Sequence, residues 1–115
     1  MENLWLFREG LAFTVEETRG YEKTPSAVYL SAKAVGDNPI LFRRWRPGDA
    51  MRPRGMTGTK KLSDIFTDLK IPRDLRPQVV LVEVANQIAA IPGWRVSAPF
   101  AVPSPRSPSL RIVPS

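Results

Sequence analysis

The chain has 115 residues, no cysteine, no histidine, and 17 Lys and Arg against 11 Asp and Glu, a formal net charge of +6. That length suits one domain with a modest core. The missing residue types exclude a disulfide framework, thiolate and imidazole metal sites, and Ser-His-Asp catalysis.

The first forty residues read as β-structure. "LWLF" (4–7) and "LAFTV" (11–15) are short apolar runs separated by Arg8-Glu9-Gly10, a hairpin signal. "EETRGYEKTPS" (16–26) reads as a polar connection. "AVYLSA" (27–32) and "PILFRRW" (39–45) are further strands on either side of the turn Gly36-Asp37-Asn38-Pro39. A helix is better defined: Leu62, Ile65, Phe66 and Leu69 fall at i, i+3, i+4 and i+7, an apolar stripe for the core. Thr57 and Thr59 are its candidate N-caps, and Pro72 is expected to stop it after Ile71. "VVLVEV" (79–84), a turn near Ala85-Asn86 and "IAAI" (88–91) read as a buried hairpin ending at Pro92-Gly93, and "WRVSA" (94–98) adds a last strand. From Pro103 onward, four prolines and four serines in thirteen residues predict a flexible tail. No apolar run reaches the length of a membrane span, and the first residues lack the basic-then-apolar order of a leader, so a cytoplasmic protein with no membrane partner is expected.

The charge is not spread evenly. Residues 43–76 hold ten Lys and Arg and four Asp and Glu, whereas the rest of the chain holds seven of each. An excess confined to one stretch predicts a face built for a polyanion. Within it, Lys60 and Lys61 fall in what should be the first helical turn, where the macrodipole disfavours cations. Together with Gly55-Met56-Thr57-Gly58-Thr59 they predict a phosphate site on free backbone N–H groups. Arg44 and Arg46 should share one side of their strand, opposite Arg43 and Trp45. Arg52 and Arg54 flank Pro53, and Arg73 and Arg76 follow the helix. Guanidinium forks suit phosphate oxygens. Trp45 is expected to pack beneath the loop, with stacking on a base as the alternative, and Asp49 to cap the turn or orient an arginine. A single carboxylate without a partner makes no general base, and no Walker-type loop is present.

"RRWRPGD", "RPRGM", "GTKKLSDIF", "KIPR" and "IPGWRV" resemble, in order and spacing, the C-terminal domain of bacterial tRNA(Ile)-lysidine synthases, over about residues 28–96. Members of that family use ATP to attach lysine to the wobble cytidine of an isoleucine tRNA. The resemblance implies an α+β accessory domain, similar to one in the phenylalanyl-tRNA synthetase β-subunit, that grips tRNA on the acceptor-stem side. Arg44, Arg46, Gly48, Asp49, Arg52, Gly55, Lys60, Lys61, Leu62 and Arg76 match the family pattern; Ala50, Val80 and Ala90 depart from it. The family's "SGGxDS" phosphate loop is absent from these residues, so the chain is expected to be a fragment or a free-standing relative that makes no lysidine alone.

The expectation is therefore a small, mostly antiparallel α+β domain over residues 1–102 with one main amphipathic helix, and a tail over 103–115. It should bind tRNA through Arg44, Arg46, Arg52, Arg54, Lys60, Lys61, Arg73 and Arg76, beside a separate catalytic domain and as a possible homodimer. No catalytic residue, metal or cofactor is expected in this chain, ATP belonging to the full-length family enzyme. The alternatives are a protein-binding or dimerisation module with a basic face and, less favoured without His or Cys, an independent catalytic domain.

Overall fold

The computed structural model describes residues 12–24 and 26–114. In chain order these form β1 (Phe13–Arg19), β2 (Val28–Ser31), α1 (Ala32–Val35), β3 (Ile40–Arg44), β4 (Ala50–Met51), β5 (Lys60–Lys61), α2 (Leu62–Asp68), β6 (Val80–Val84), β7 (Gln87–Ile91), β8 (Arg95–Val96) and β9 (Pro108–Pro114). Single 3-10 turns lie at Arg76–Gln78 and Ala98–Phe100. The strands make a sheet in the order β1-β9-β2, a sheet in the order β3-β6-β7-β8 and a β4-β5 ribbon, all antiparallel. The expected antiparallel α+β class is observed. The strand expected at 4–7 lies outside the described residues.

The two central strands of the four-stranded sheet, β6 and β7, are buried on both faces, which explains why they read as nearly continuous apolar runs rather than alternating ones. Val82, Val84 and Ala90 enter one core with Val28, Leu30 and Ile112 of the three-stranded sheet. Val79, Leu81, Ile88 and Ile91 enter a second core under α2, with Leu62, Ile65, Phe66 and Met51. Alternation along β6 sends its side chains to the two layers in turn. On β7 the register shifts beside Val82 and Glu83, so that Glu83 pairs with Ile88 while Val82 pairs with Ala90. Ala89 is the extra residue of this bulge. Ala85 and Asn86, at φ 51° and 62°, form the tight β6–β7 turn at the expected place.

The expected flexible tail is a correction. β9 is the central strand of its sheet, pairing with β1 from Phe13↔Pro114 to Arg19↔Pro108 and with β2 from Val28↔Ile112 to Ser31↔Ser109. Ile112 is fully buried, and the buried Ser109 hydroxyl donates to the Gly20 carbonyl at 2.7 Å. Proline-rich composition misled because Pro103 and Pro105 lie in the connection. Pro108 and Pro114 sit at the two ends of the strand, where a missing N–H costs little. The single domain therefore includes the C-terminal segment. β1 likewise runs through Arg19, into the expected polar connection. Its residues from Thr14 onward are exposed because an outer strand needs its backbone paired with β9, not its side chains buried.

Helix α2 buries Leu62, Ile65 and Phe66 as its periodicity predicts. It is shorter than expected at both ends. Lys61 occupies the N-cap position without a side-chain cap, and neither Thr57 nor Thr59 caps it. At the other end Lys70 adopts φ 58°, its N–H donating to Thr67 O at 3.0 Å while Ile71 N–H reaches Phe66 O at 2.9 Å. This is a Schellman ending with lysine at the left-handed position, closed by the buried Phe66 and Ile71. The helix thus stops before Pro72 can act. Among the described residues no helix is long and apolar enough to cross a membrane.

Candidate nucleic-acid interface

The basic loop is an excursion between two anchored ends. β4 and β5 pair Ala50↔Lys61 and Met51↔Lys60, closing residues 52–59 into a loop. Met51 is buried in the second core, Leu62 N–H donates to Asp49 O at 2.9 Å, and the Arg52 carbonyl accepts from Ala98 N–H at 2.8 Å and Ser97 Oγ at 3.2 Å. Residues 54–59 are all exposed. Gly55, at φ 85°, turns the tip, and no atom lies within 4 Å of where a Cβ would stand. Backbone conformation rather than crowding calls for glycine there.

Below the loop, one arginine organises the base. Arg43 donates from Nη1 and Nη2 to the two Asp49 carboxylate oxygens at 3.0 and 2.8 Å, and from Nε to Glu83 at 3.2 Å. Asp49 also accepts the Arg46 backbone N–H at 2.8 Å, so it both caps the turn and orients an arginine, as expected. The pair is largely withdrawn from water, with side-chain exposures of 19% and 12%. The hydrogen bonds it donates to Asp49 hold the Arg43 guanidinium above its ordinary value. Burial alone raises the Asp49 carboxyl, but the bonds from Arg43 and the Arg46 N–H outweigh it, so the net shift is downward.

The eight predicted contact residues separate into two groups. Arg44 donates to the Gln78 carbonyl. Arg76 donates to Ile71 O at 3.1 Å, to Thr67 Oγ1 at 3.2 Å and to Ser63 O at 3.4 Å, with its guanidinium 5.9 Å from the Phe66 ring centroid. Lys60 pairs with Asp68 across one face of α2. These three fasten the chain around the second core. Arg46, Arg52, Arg54, Lys61 and Arg73 are exposed, and their side chains form no ion pair or hydrogen bond among the described residues.

The helix-start argument for the two lysines is corrected in the same way. Lys60 and Lys61 form β5, outside the first helical turn, which instead carries Asp64, the charge the dipole favours. Trp45 packs under the loop against the second core, edge-on to Phe66 at 5.6 Å.

Folding also joins cations that sequence spacing did not. Arg54 borders a depression with Lys33 of α1 and the 98–103 segment. Arg52 borders another with Thr59, Asn86 and Gln87 from the β6–β7 turn. Lys33 was not a candidate, because nothing in its own neighbourhood marks it. Among the described residues no three Asp or Glu side chains cluster as metal ligands would.

Residues 40–112 match the family described as the TilS substrate C-terminal domain. The tRNA(Ile)-lysidine synthase of Geobacter sulfurreducens is 49% identical over 57 residues, covering 50% of this chain and 12% of that protein. The Clostridium tetani enzyme of the same name is 42% identical over 74 residues, covering 64% of this chain and 16% of that protein. The chain thus corresponds to a small part of the length of either relative. A crystal structure of a TilS C-terminal domain superposes with a TM-score of 0.70 at 30% identity, over 88% of this chain and 80% of that one.

Proposed function

The chain belongs to the TilS substrate C-terminal domain family, and from that premise we propose that it is an accessory domain that holds tRNA for a lysidine-forming catalytic domain. The single observation carrying this reading is the set of five exposed cations whose side chains have no ion pair or hydrogen bond among the described residues, Arg46, Arg52, Arg54, Lys61 and Arg73, two of them, Arg52 and Arg54, on an anchored loop. Cations left unpaired on a fixed scaffold are available to phosphate oxygens, which carry charge but no sequence information.

In this reading the domain grips the tRNA backbone on the acceptor-stem side, in the cytoplasm. The ATP-dependent attachment of lysine to the wobble cytidine belongs to the separate catalytic domain, which alone handles ATP. This chain supplies position. It offers no thiol or imidazole for covalent or acid–base work, and Asp49, the most withdrawn carboxylate among the described residues, is committed to Arg43.

The test is a salt titration of binding to several tRNAs, with the chain and with an Arg52→Gln/Arg54→Gln variant. Similar, weak affinities for all tRNAs are expected. The slope of log affinity against log salt should fall by roughly 0.7–0.9 for each phosphate contact removed. Exclusive tight binding of one isoleucine tRNA, or a slope untouched by the double substitution, overturns the proposal. A domain that only dimerises through this face would show no salt-dependent RNA affinity at all.

A further inference from the structure

A cleft of about 650 Å³ adjoins the loop, with Arg54 on the rim of both this cleft and the depression at Lys33. Its walls carry three aromatic rings, Tyr21, Tyr29 and Trp94, and three cations, Lys23, Arg54 and Arg95, against the single acid Glu22. Two of the rings are committed elsewhere. The Tyr29 hydroxyl accepts from Arg111 Nε at 3.2 Å, and Trp94 packs against the second core. Tyr21 is 48% exposed.

The backbone leading into Tyr21 is tied to the segment around Ser107 and Ser109. Gly20 precedes the tyrosine at φ 72°, its N–H donating to Ser107 O at 2.9 Å and its carbonyl accepting from Ser109 Oγ at 2.7 Å. A Cβ on Gly20 would stand 2.5 Å from the Pro105 carbonyl oxygen, so the approach of the two segments needs glycine there. An exposed ring on a hydrogen-bonded stem, with cations beside it, has the make-up of a base-stacking platform.

We infer that this cleft takes an unpaired nucleotide of the bound RNA, its base against Tyr21 and its phosphates toward Lys23, Arg54 and Arg95. This deepens the RNA-holding role and rests on it. The charge and the aromatic surface select the occupant together. An apolar protein segment leaves three cations unanswered, an acidic peptide leaves the Tyr21 ring unused, and a paired base is already stacked within its helix.

The test compares a blunt RNA hairpin with the same hairpin carrying an unpaired 3′ extension, by fluorescence anisotropy on the chain. The extension should tighten binding by about tenfold, the effect of one base–aromatic stack. Tyr21→Ala should abolish that gain while leaving blunt-hairpin affinity and melting temperature unchanged, and Tyr21→Phe should keep the gain. If the blunt hairpin binds and the extension adds nothing, the inference falls, the backbone-holding role stands, and the cleft is left to a protein segment. Equal weakening of both RNAs by Tyr21→Ala also overturns it. If neither RNA binds, both readings fall.

Discussion

Arg43 and Arg54 are the same residue type in one basic stretch, yet they sit in opposite circumstances. Arg43 is 19% exposed and spends its donors on Asp49, Glu83 and the Arg44 carbonyl. Arg54, on the loop tip, is exposed and unpaired among the described residues. The division extends to their neighbours. Arg44, Lys60 and Arg76 tie β3, β5 and the turn after α2 to the rest of the fold, while the side chains of Arg46, Arg52, Lys61 and Arg73 form no ion pair or hydrogen bond among the described residues. A local charge excess is therefore not one surface. Part of it is internal fastening that keeps the loop's base in place, and the remainder faces water.

Five substitutions break or sharpen this contrast. Phe66→Ala should have the largest effect, because the fully buried ring supports both Trp45 and Arg76. The cavity should cost about 3–5 kcal/mol, read as a collapse in melting temperature. An unchanged melt would mean the inner arginines do not rest on this core.

Arg43→Met comes next. It leaves Asp49 and Glu83, at 12% and 18% exposure, without their cation. Urea unfolding should show a loss of roughly 2–4 kcal/mol, somewhat less than for a fully buried pair. The salt slope of RNA binding should not change. A reduced slope would place Arg43 at the RNA.

The same pair sets an acid limit. The Asp49 carboxyl is lower in the folded chain than its ordinary 3.8. Its contribution to stability is therefore complete above that value and is lost as pH falls below it, through the lower folded value. Asp49→Asn should flatten the acid limb of the stability–pH curve below about pH 4. An acid limb as steep as that of the unsubstituted chain would assign it to other carboxylates.

Arg76→Ala removes three hydrogen bonds and a cation–π contact from a partly exposed group, and should cost about 1–2 kcal/mol. Lys61→Ala should do the least to the fold, within about 0.5 kcal/mol. It should still lower the RNA salt slope by somewhat under one unit, roughly 0.7–0.9. Loss of stability without loss of slope would move Lys61 into the fastening group.

Local pattern carried much of the fold. The stripe Leu62, Ile65, Phe66 named the buried face of α2, and the β6–β7 hairpin could be read because its strands are apolar on both sides and its turn holds Ala85-Asn86. It failed where a segment draws its stability from distant partners. β9 looked like a tail because residues 103–115 are rich in proline and serine, whereas its backbone is paired on both sides and only a few side chains need burial. The two-residue strands β4 and β5 have no periodicity to detect. They exist because Met51 and Leu62 are held in the second core on either side of the loop.

For the candidate site the limit is the same. Residue types and their order along the chain were enough to say that residues 43–76 carry the whole excess of positive charge and that this chain lacks imidazole and thiol chemistry. Which arginine meets which carboxylate is decided by strand register: Arg43 pairs with Leu81 in the ladder, which brings Glu83, forty residues along the chain, within 3.2 Å of its guanidinium. Likewise only the packing of α1 and the 98–103 segment beside the loop puts Lys33 with Arg54. Charge is a property of the residue, but its availability to a ligand depends on what the folded chain has already placed within hydrogen-bonding distance.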